Sequence, residues 1–513
     1  MNRAAVIYIG SRVLQFYAAE LTEDGIEELE FVESNIALGH ESFTSGRIQL
    51  QTIEQVANRI KDFKRLAGDY GIEDLQVFGT TALREARNRE FVLDQLSFET
   101  GLEVSVFEDA EEKMYFYNQI VEIIEGQESF AKEPALIAYV GTGNIGVTHY
   151  SGEAIHVTQN IPLGTLRLRE KVGDSLLESE GFASFLDDYL DNAVHLFKRY
   201  IPKEKTHQVL VAGKQTDLLT RAFQLDGGDR VVSLDRKTFE ERYSHIKAST
   251  PEQIVAAYDL TYREADILLP AMAIFRKMLQ MSKAQTLTVI RLRFVDLLMN
   301  RLLNDRSHRK EIQDFNRHSI ASARRLGRQY NHIVDHAQMV ESLALQIFDE
   351  TKKVHGLGRV DRFRMQLAAI LHGIAGFEDT KAYHQIIYDM LRNFNIVGLR
   401  ERDLLIIAET VHKFLHGSKE DEFVSPSVPP KQKTRITKMA AILLLAESLD
   451  QSRTQKFQDC QVVHKKGDLL VKAQTSVPYE LEGWYFDRAA KWFNEIFGVN
   501  PKLEIKRGYK HVD

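Results

Sequence analysis

Residues 4–31 read AAVIYIGSRVLQFYAAELTEDGIEELEF, and residues 135–158 read ALIAYVGTGNIGVTHYSGEAIHVT. The first stretch opens on a β-prone apolar run, residues 4–9, closed by the turn pair Gly10-Ser11. A second strand-like run covers residues 13–21, Asp24-Gly25 is a hairpin turn, and residues 26–31 alternate apolar and polar as a third strand should. The second stretch repeats this grammar. Residues 136–140 are a strand, Gly141-Thr142-Gly143-Asn144 a glycine-rich turn, residues 145–150 the next strand, Ser151-Gly152 a turn, and residues 154–158 the third strand. Two copies of strand, tight loop, strand, hairpin, strand, each followed by helices, predict two duplicated α/β lobes facing one another across a cleft. Gly10-Ser11 and the Gly141 loop can both expose consecutive backbone N–H groups with no Cβ in the way, which suits a phosphate. One glycine-rich turn alone is only a turn. Two equivalent ones in a duplicated fold point to a phosphate cleft.

The rest of the composition narrows the class. The 513 residues, at roughly 150 per domain, predict three or four domains. A hydrophobic fraction of 44% and a charged fraction of 27% are those of a globular chain and exclude a disordered or fibrous one. With 66 basic against 73 acidic residues the formal charge is −7, which argues against a globally basic nucleic-acid binder. The single cysteine, Cys460, forms no intrachain disulfide, and no zinc site can rest on thiolates. The start of the sequence lacks a secretory signal, and the most apolar run, residues 439–446, is far short of the ~20 residues a membrane span needs. A cytoplasmic protein without membrane partners is expected.

The loops and the segments between them resemble a known family. Residues 78–88, FGTTALREARN, are similar to the A-T-S-A-L-R-D/E-A-x-N segment of the Ppx/GppA exopolyphosphatases and guanosine pentaphosphate phosphohydrolases, within the actin-like, ribonuclease H-like superfamily. Glu111-Glu112 resembles the carboxylate pair of the family's I-S-G-x-E-E-A motif, and residues 161–168, IPLGTLRL, its L-P-L-G-x-x-R-L segment. Hydrolysis of a terminal phosphoanhydride by in-line attack of water needs donors for the phosphoryl oxygens, a carboxylate to orient the water, and usually a divalent cation. The resemblance implies Glu111 as catalytic base with Glu112 beside it. It implies phosphate binding by Gly10, Ser11, Arg12, Thr80, Arg84, Gly141, Thr142, Gly143 and Asn144. Thr81 could add a hydroxyl donor or cap a helix. Without the resemblance, Asp109 to Glu112 read as an acidic helix start, and Arg84 as an ion-pair partner of Glu85 or a neighbour. The sequence also departs from the family. Tyr8 and Tyr139 stand where the two loop motifs carry aspartate, and Gly146 stands where the second carries glutamate. The resemblance implies Mg²⁺, but a phenol is a poor ligand for it at neutral pH, and the expected carboxylates are missing.

The second half turns helical and locally basic around residues 306–328, a run that reads either as a solvated helix face or as a channel lining for a linear polyanion. It lacks the interleaved aromatics of a single-strand nucleic-acid platform. The helices that follow resemble the HD-type domain of longer family members, but the dyad position reads His372-Gly373. His336, His372 and Asp450 could still gather a metal with His384 or His412, but four histidines at uneven spacing read first as helix-packing residues, and no metal is expected there. The whole is read as two duplicated actin-like lobes (residues 1–130 and 131–305), an all-α HD-like domain (306–455) and a small α/β C-terminal unit (456–513), expected to form a homodimer. Two functions stay open. One is binding and hydrolysis of terminal phosphoanhydrides of polyphosphate or guanosine pentaphosphate. The other is a catalytically impaired homologue that binds polyphosphate or an alarmone as a sensor or scaffold. A kinase built on the same lobes is less favoured, because the residue 78–88 segment belongs to the phosphatase branch.

Overall fold

Every residue of β1 (Arg3–Ile9) after Arg3 is buried, the mark of a strand with other layers packed on both faces. It pairs antiparallel with β2 (Val13–Leu21), which pairs antiparallel with β3 (Ile26–Asn35). On its other side β1 pairs parallel with β4 (Leu75–Gly79), and β4 with β5 (Val104–Val106), giving the order β3-β2-β1-β4-β5. The computed structural model describes residues 2–126, 133–141, 144–161, 182–198, 206–213, 216–225, 230–303, 305–330, 333–375, 381–417, 425–426, 428–465 and 467–507.

The second stretch builds the same sheet. β6 (Ala135–Val140), again wholly buried, pairs antiparallel with β7 (Ile145–Tyr150), and β7 with β8 (Ile155–Ile161). It pairs parallel with β9 (Gln208–Ala212), which neighbours β11 (Thr286–Ile290). β10 (Val231–Asp235) is added antiparallel at the edge. Read from the hairpin side, β8-β7-β6-β9-β11 repeats β3-β2-β1-β4-β5 in order and direction. The duplication anticipated from the two stretches is therefore real. The third strand of each repeat runs further than the alternation suggested, to Asn35 and Ile161.

Helices cover the sheets by presenting one apolar stripe. In Leu50–Asp69 the buried positions Ile53, Val56, Ala57, Ile60, Phe63 and Ala67 recur at the three-and-four spacing of a helix face. The helix Phe294–Leu303, last in the second half, packs back on β1 and β2. All of this lies in one compact unit, Met1–His318, and a second unit spans Ser319–Asp513, with the boundary inside the helix Asp305–Gln329.

The second unit is built on the helices Val334–Glu350, Arg359–Leu371, Lys381–Asn393, Glu401–His416 and Pro430–Glu447. A three-stranded sheet follows: β12 (Gln458–Lys465), β13 (Asp468–Thr475) and β14 (Asn500–Arg507), with the helix Glu480–Phe497 between the last two. One apolar core, including Val340, Leu443, Val471 and Phe493, runs continuously from the helices into the sheet. No helix among the described residues is long and apolar enough to cross a membrane.

Candidate phosphate site

The two glycine loops close in the same way. Gly10 N donates to Val13 O at 2.9 Å and Gly141 N to Asn144 O at 2.9 Å, so each is a tight turn at the C-terminal end of the central strand of its sheet. Thr80, just past β4, and Gly213, just past β9, lie at corresponding strand ends, where ligands of open α/β sheets collect. At Gly213 φ is +126° and an added Cβ would stand 2.2 Å from Val140 O, so the close approach of the two strands requires glycine. Thr142 and Gly143, and the 162–168 part of the IPLGTLRL segment, lie outside the described residues.

The side chains at these strand ends are committed to one another. Arg84, in the short helix Thr81–Glu85, donates from Nη1 to Phe107 O (2.7 Å) and Glu112 Oε2 (3.1 Å). From Nη2 it donates to Thr81 Oγ1 (3.1 Å) and Asp109 Oδ1 (3.2 Å). Its side chain is 14% exposed and that of Glu112 7%. Asp109 and Glu112 come from the first turn of the helix Asp109–Glu125, where carboxylates complement the helix dipole. Asp109 also accepts from Lys113 Nζ at 2.6 Å and from Asn144 Nδ2. Burial lowers the pKa of the Lys113 ammonium, against the pull of Asp109. Burial raises that of Glu112, and Arg84 offsets this only in part. Glu112 lines the small pocket between the loops, and Glu111 lines neither that pocket nor the larger cavity. Asn88, at the end of the residue 78–88 segment, clasps Ile48 through both its N–H and its carbonyl (3.1 and 2.9 Å).

Tyr8 and Tyr139 decide the shape of the cleft. Both are buried, at 3% and 4% exposure. Phe116 stacks on Tyr139 with ring centroids 4.1 Å apart and on Phe294 at 5.1 Å, while Tyr8 meets Phe294 edge-on at 5.6 Å. The Tyr8 hydroxyl shares a hydrogen bond with Thr80 Oγ1 at 3.2 Å. Desolvation raises both phenol pKa values, with the Glu112 carboxylate adding to the effect, so they stay neutral. On one side of the pair is the small pocket, about 10 Å³, lined also by Ser11, Thr80, Thr81, Glu112, Gly141 and Asn144. That is room for about one water. On the other side is a cavity of about 810 Å³. Tyr8 and Tyr139 are the residues that line both.

The larger cavity is rich in cations. Arg12, Arg221, Arg230, Arg291 and Arg293 line it, against Glu33, Glu264 and Asp296. Arg221 pairs with Glu264. Arg293 pairs with Asp296 (2.7 Å) and Glu28 (2.8 Å) and lies over the rings of Phe31 and Tyr17 at 4.8 and 5.2 Å. Of the four arginines the sequence reading missed, Arg291 directly follows β11, Arg293 lies three residues past its end, and Arg230 directly precedes β10. A rule that reads basic residues at strand ends would have found those three, whereas Arg221 sits on a helix. In the basic run, Arg317 pairs with Glu125 at 3.4 Å and Arg324 with Glu341 at 3.0 Å, and the side chains of Arg306, Arg309 and Lys310 lie outside the described residues.

The donors placed here among the described residues do not fit Mg²⁺. Neutral phenols stand at the two positions where the resemblance implies carboxylates, and Glu112 is held by Arg84. At Gly146 an added Cβ would stand 2.2 Å from Tyr117 Oη and 3.0 Å from Lys113 Cδ, so the position has no room for a longer side chain. No group of three or more His, Cys, Asp or Glu side chains among the described residues is placed to hold a metal. In the second unit His384 and His412 lie against His416, with ring centroids 4.9 and 4.2 Å apart, and burial beside its histidine neighbours pushes His412 down to about 4.

Comparison with known proteins agrees with the fold. The model of the Ppx/GppA phosphatase family matches residues 19–291, and that of Ppx/GppA phosphatase, domain III, matches residues 319–481. Exopolyphosphatase 1 of Mycobacterium bovis is 23% identical over 167 residues, covering 32% of this chain and 47% of that protein. The Mycobacterium leprae protein of the same name is 24% identical over 194 residues, 37% and 55% of the two chains. The chain thus spans about half the length of the curated relatives it matches. An exopolyphosphatase structure from Cytophaga hutchinsonii superposes with a TM-score of 0.52 at 17% identity, over 59% of this chain and 98% of that one. The Aquifex aeolicus family member gives 0.51 at 19%, over 60% and 99%. At these identities the likeness carries the fold. Since the first family model covers residues 19–291 of 513, more than half of the sequence, the chain belongs to the Ppx/GppA phosphatase family.

Proposed function

We propose that this chain binds a phosphoanhydride-rich anion, polyphosphate or a guanosine pentaphosphate-type nucleotide, in its arginine-lined cavity, and does not hydrolyse it. The observation that carries this reading is the wall formed by Tyr8 and Tyr139. It separates the cavity of about 810 Å³ from the pocket of about 10 Å³ that Glu112 lines. In-line hydrolysis needs a carboxylate, a water and the terminal phosphorus in one space. Here the carboxylate lies behind two buried rings and is paired to Arg84. Developing charge on the leaving phosphate would meet phenols instead of a cation. Binding needs less. Five arginines and three carboxylates line the cavity, and guanidinium forks suit phosphate oxygens.

The test measures binding and turnover together. Fluorescently labelled polyphosphate is titrated into the full chain while orthophosphate release is followed with and without Mg²⁺. Saturable binding without release supports the proposal. Mg²⁺-dependent release would reject it, because the residues that hold the ion would then have to lie outside this site.

A further inference from the structure

The small C-terminal sheet has two edges, and the fold treats them differently. At the β12 edge the helix Val334–Glu350 closes the ladder. Val462 N donates to Gln346 Oε1 at 3.2 Å, and His464 N to Glu350 Oε2 at 3.0 Å. β14 forms the other edge. It runs parallel to β13 with Asn500 opposite Asp468, and Asn500 N donates to Gly467 O at 3.0 Å. The even-numbered residues of β14 therefore turn their N–H and C=O groups toward β13, and the odd-numbered ones turn theirs outward. Among the described residues nothing pairs with the outward backbone groups of Leu503 and Ile505. An open edge of this kind is a template for another strand.

We propose that this edge is an interface between two copies of the chain, joined β14 to β14 in antiparallel fashion about a two-fold axis at Leu503. The side chains single out that occupant and that register. On the solvent face β14 carries Lys502, Glu504 and Lys506, all exposed. On the core face it carries Pro501, Leu503 and Ile505, of which the last two are only partly buried. A two-fold at Leu503 sets Lys502 of each copy opposite Glu504 of the other. Lys502 meets Asp468 within its own chain at 2.6 Å and Glu504 meets Lys472 at 4.0 Å, so each charge then has an opposite charge on both sides. On the core face Leu503 meets Leu503, and Ile505 meets Pro501. Leu503 N–H of each copy donates to Leu503 O of the other, and Ile505 N–H to Pro501 O. An axis one residue on, at Glu504, would instead set Glu504 against Glu504 and Lys502 against Lys506. β3, at the edge of the first sheet, shows the contrast: it carries Glu27, Glu28, Glu30 and Glu33 and no basic residue, so a second copy would meet only like charge there. Pairing through β14 joins two three-stranded sheets into one across an isologous contact. So short a contact buries less than a standard interface, and the dimer is weak, with a Kd on the order of micromolar or above.

Sedimentation velocity of the full chain over a concentration series tests this, and a reversible monomer–dimer equilibrium is expected. Lys502→Glu and Glu504→Lys each set like charges face to face twice across the axis, and each should weaken the dimer about tenfold or more. The two reversals combined should restore it. Both side chains are exposed, so an unchanged Tm identifies the variants as folded. The register is read by cross-linking in a chain carrying Cys460→Ser. Leu503→Cys should form a disulfide between copies on mild oxidation, because hydrogen-bonded partners in an antiparallel pair have Cα atoms about 5.5 Å apart. Ile505→Cys should not, since it faces Pro501. A chain that stays monomeric at every concentration would overturn the proposal. So would a dimer that both single reversals leave intact, which would put the interface elsewhere. Cross-linking at position 505 and not at 503 would overturn it as well, by moving the axis.

Discussion

Replacing Arg84 with alanine separates a phosphate ligand from a structural pin. The guanidinium makes four hydrogen bonds, two of them to carboxylates, from a side chain 14% exposed. In Arg84→Ala, Asp109 keeps Lys113 and Asn144, whereas Glu112 is left buried without its cation. Removing one partner from a buried pair costs about 3–5 kcal/mol, and Glu112 can recover part of this by taking up a proton. The sign with pH follows from its shift. The folded-state pKa of Glu112 is already raised by burial, and losing Arg84 raises it further. The folded variant therefore binds a proton that the unfolded chain does not, and its stability falls as pH rises above the ordinary carboxyl value of about 4.3. Differential scanning calorimetry should show a deficit near the upper figure at about pH 8 and a smaller one at about pH 5. Adding Glu112→Gln to Arg84→Ala should recover about half of the loss by removing the stranded charge. An unchanged Tm at both pH values, with binding of polyphosphate abolished, would refute the pin and make Arg84 a ligand group.

Four further outcomes follow from the same geometry. Tyr8→Asp or Tyr139→Asp should not restore phosphate release, and each should cost on the order of 2–5 kcal/mol for a carboxyl buried among rings, read by release assay and denaturant melts. Tyr8→Phe should lose only the Thr80 hydrogen bond, about 0.5–1.5 kcal/mol, with anion binding intact. Gly146→Ala should destabilise by about 1–3 kcal/mol, and Tyr117→Phe, which deletes the oxygen 2.2 Å from the new Cβ, should relieve much of that. Arg230→Ala should weaken polyphosphate binding roughly tenfold in a fluorescence titration, and wild-type affinity should fall steeply with added salt.

The lobes were legible because strand grammar is local. Residues 4–31 and 135–158 each carry alternation, a glycine turn and a hairpin signal within one stretch, and each stretch folds as a unit. The meeting of Arg84 with the Glu111-Glu112 segment was legible only as two motifs. That Glu112 takes the guanidinium while Glu111 does not line the pocket depends on which face of the Asp109–Glu125 helix turns inward, which a two-residue motif does not encode. Of the cavity's arginines, only Arg12 was read from the sequence. They come from the first loop, a helix, and the two ends of β10 and β11, residues far apart in sequence with no motif to join them. The substitutions at Tyr8, Tyr139 and Gly146 were visible, but their consequence was not, because a missing ligand and a built wall look alike in one dimension.

That the positions form a wall rather than a scatter of losses follows from how they fit. Replacing an aspartate by a neutral small residue would remove charge and leave a void. Tyrosine at both loop ends removes the charge and fills the space, and Phe116 and Phe294 supply faces for the rings to pack on. Gly146 is part of the same arrangement. With no Cβ there, Tyr117 Oη occupies the space beside β7 that a side chain at position 146 would need. Arg84 and Asn144, read from the sequence as phosphate contacts, are likewise tied up, Arg84 to Glu112 and Asp109, and Asn144 to Asp109. These contacts satisfy the buried polar groups of Arg84, Glu112 and Asn144, so the closed site is stable as it stands. Reversing one position then leaves the others opposing it. Hydrolysis is consequently expected to return, if at all, only when Tyr8, Tyr139, Gly146 and Tyr117 are changed together. Release of orthophosphate by a variant carrying Tyr8→Asp alone would show that the wall is not a coupled unit.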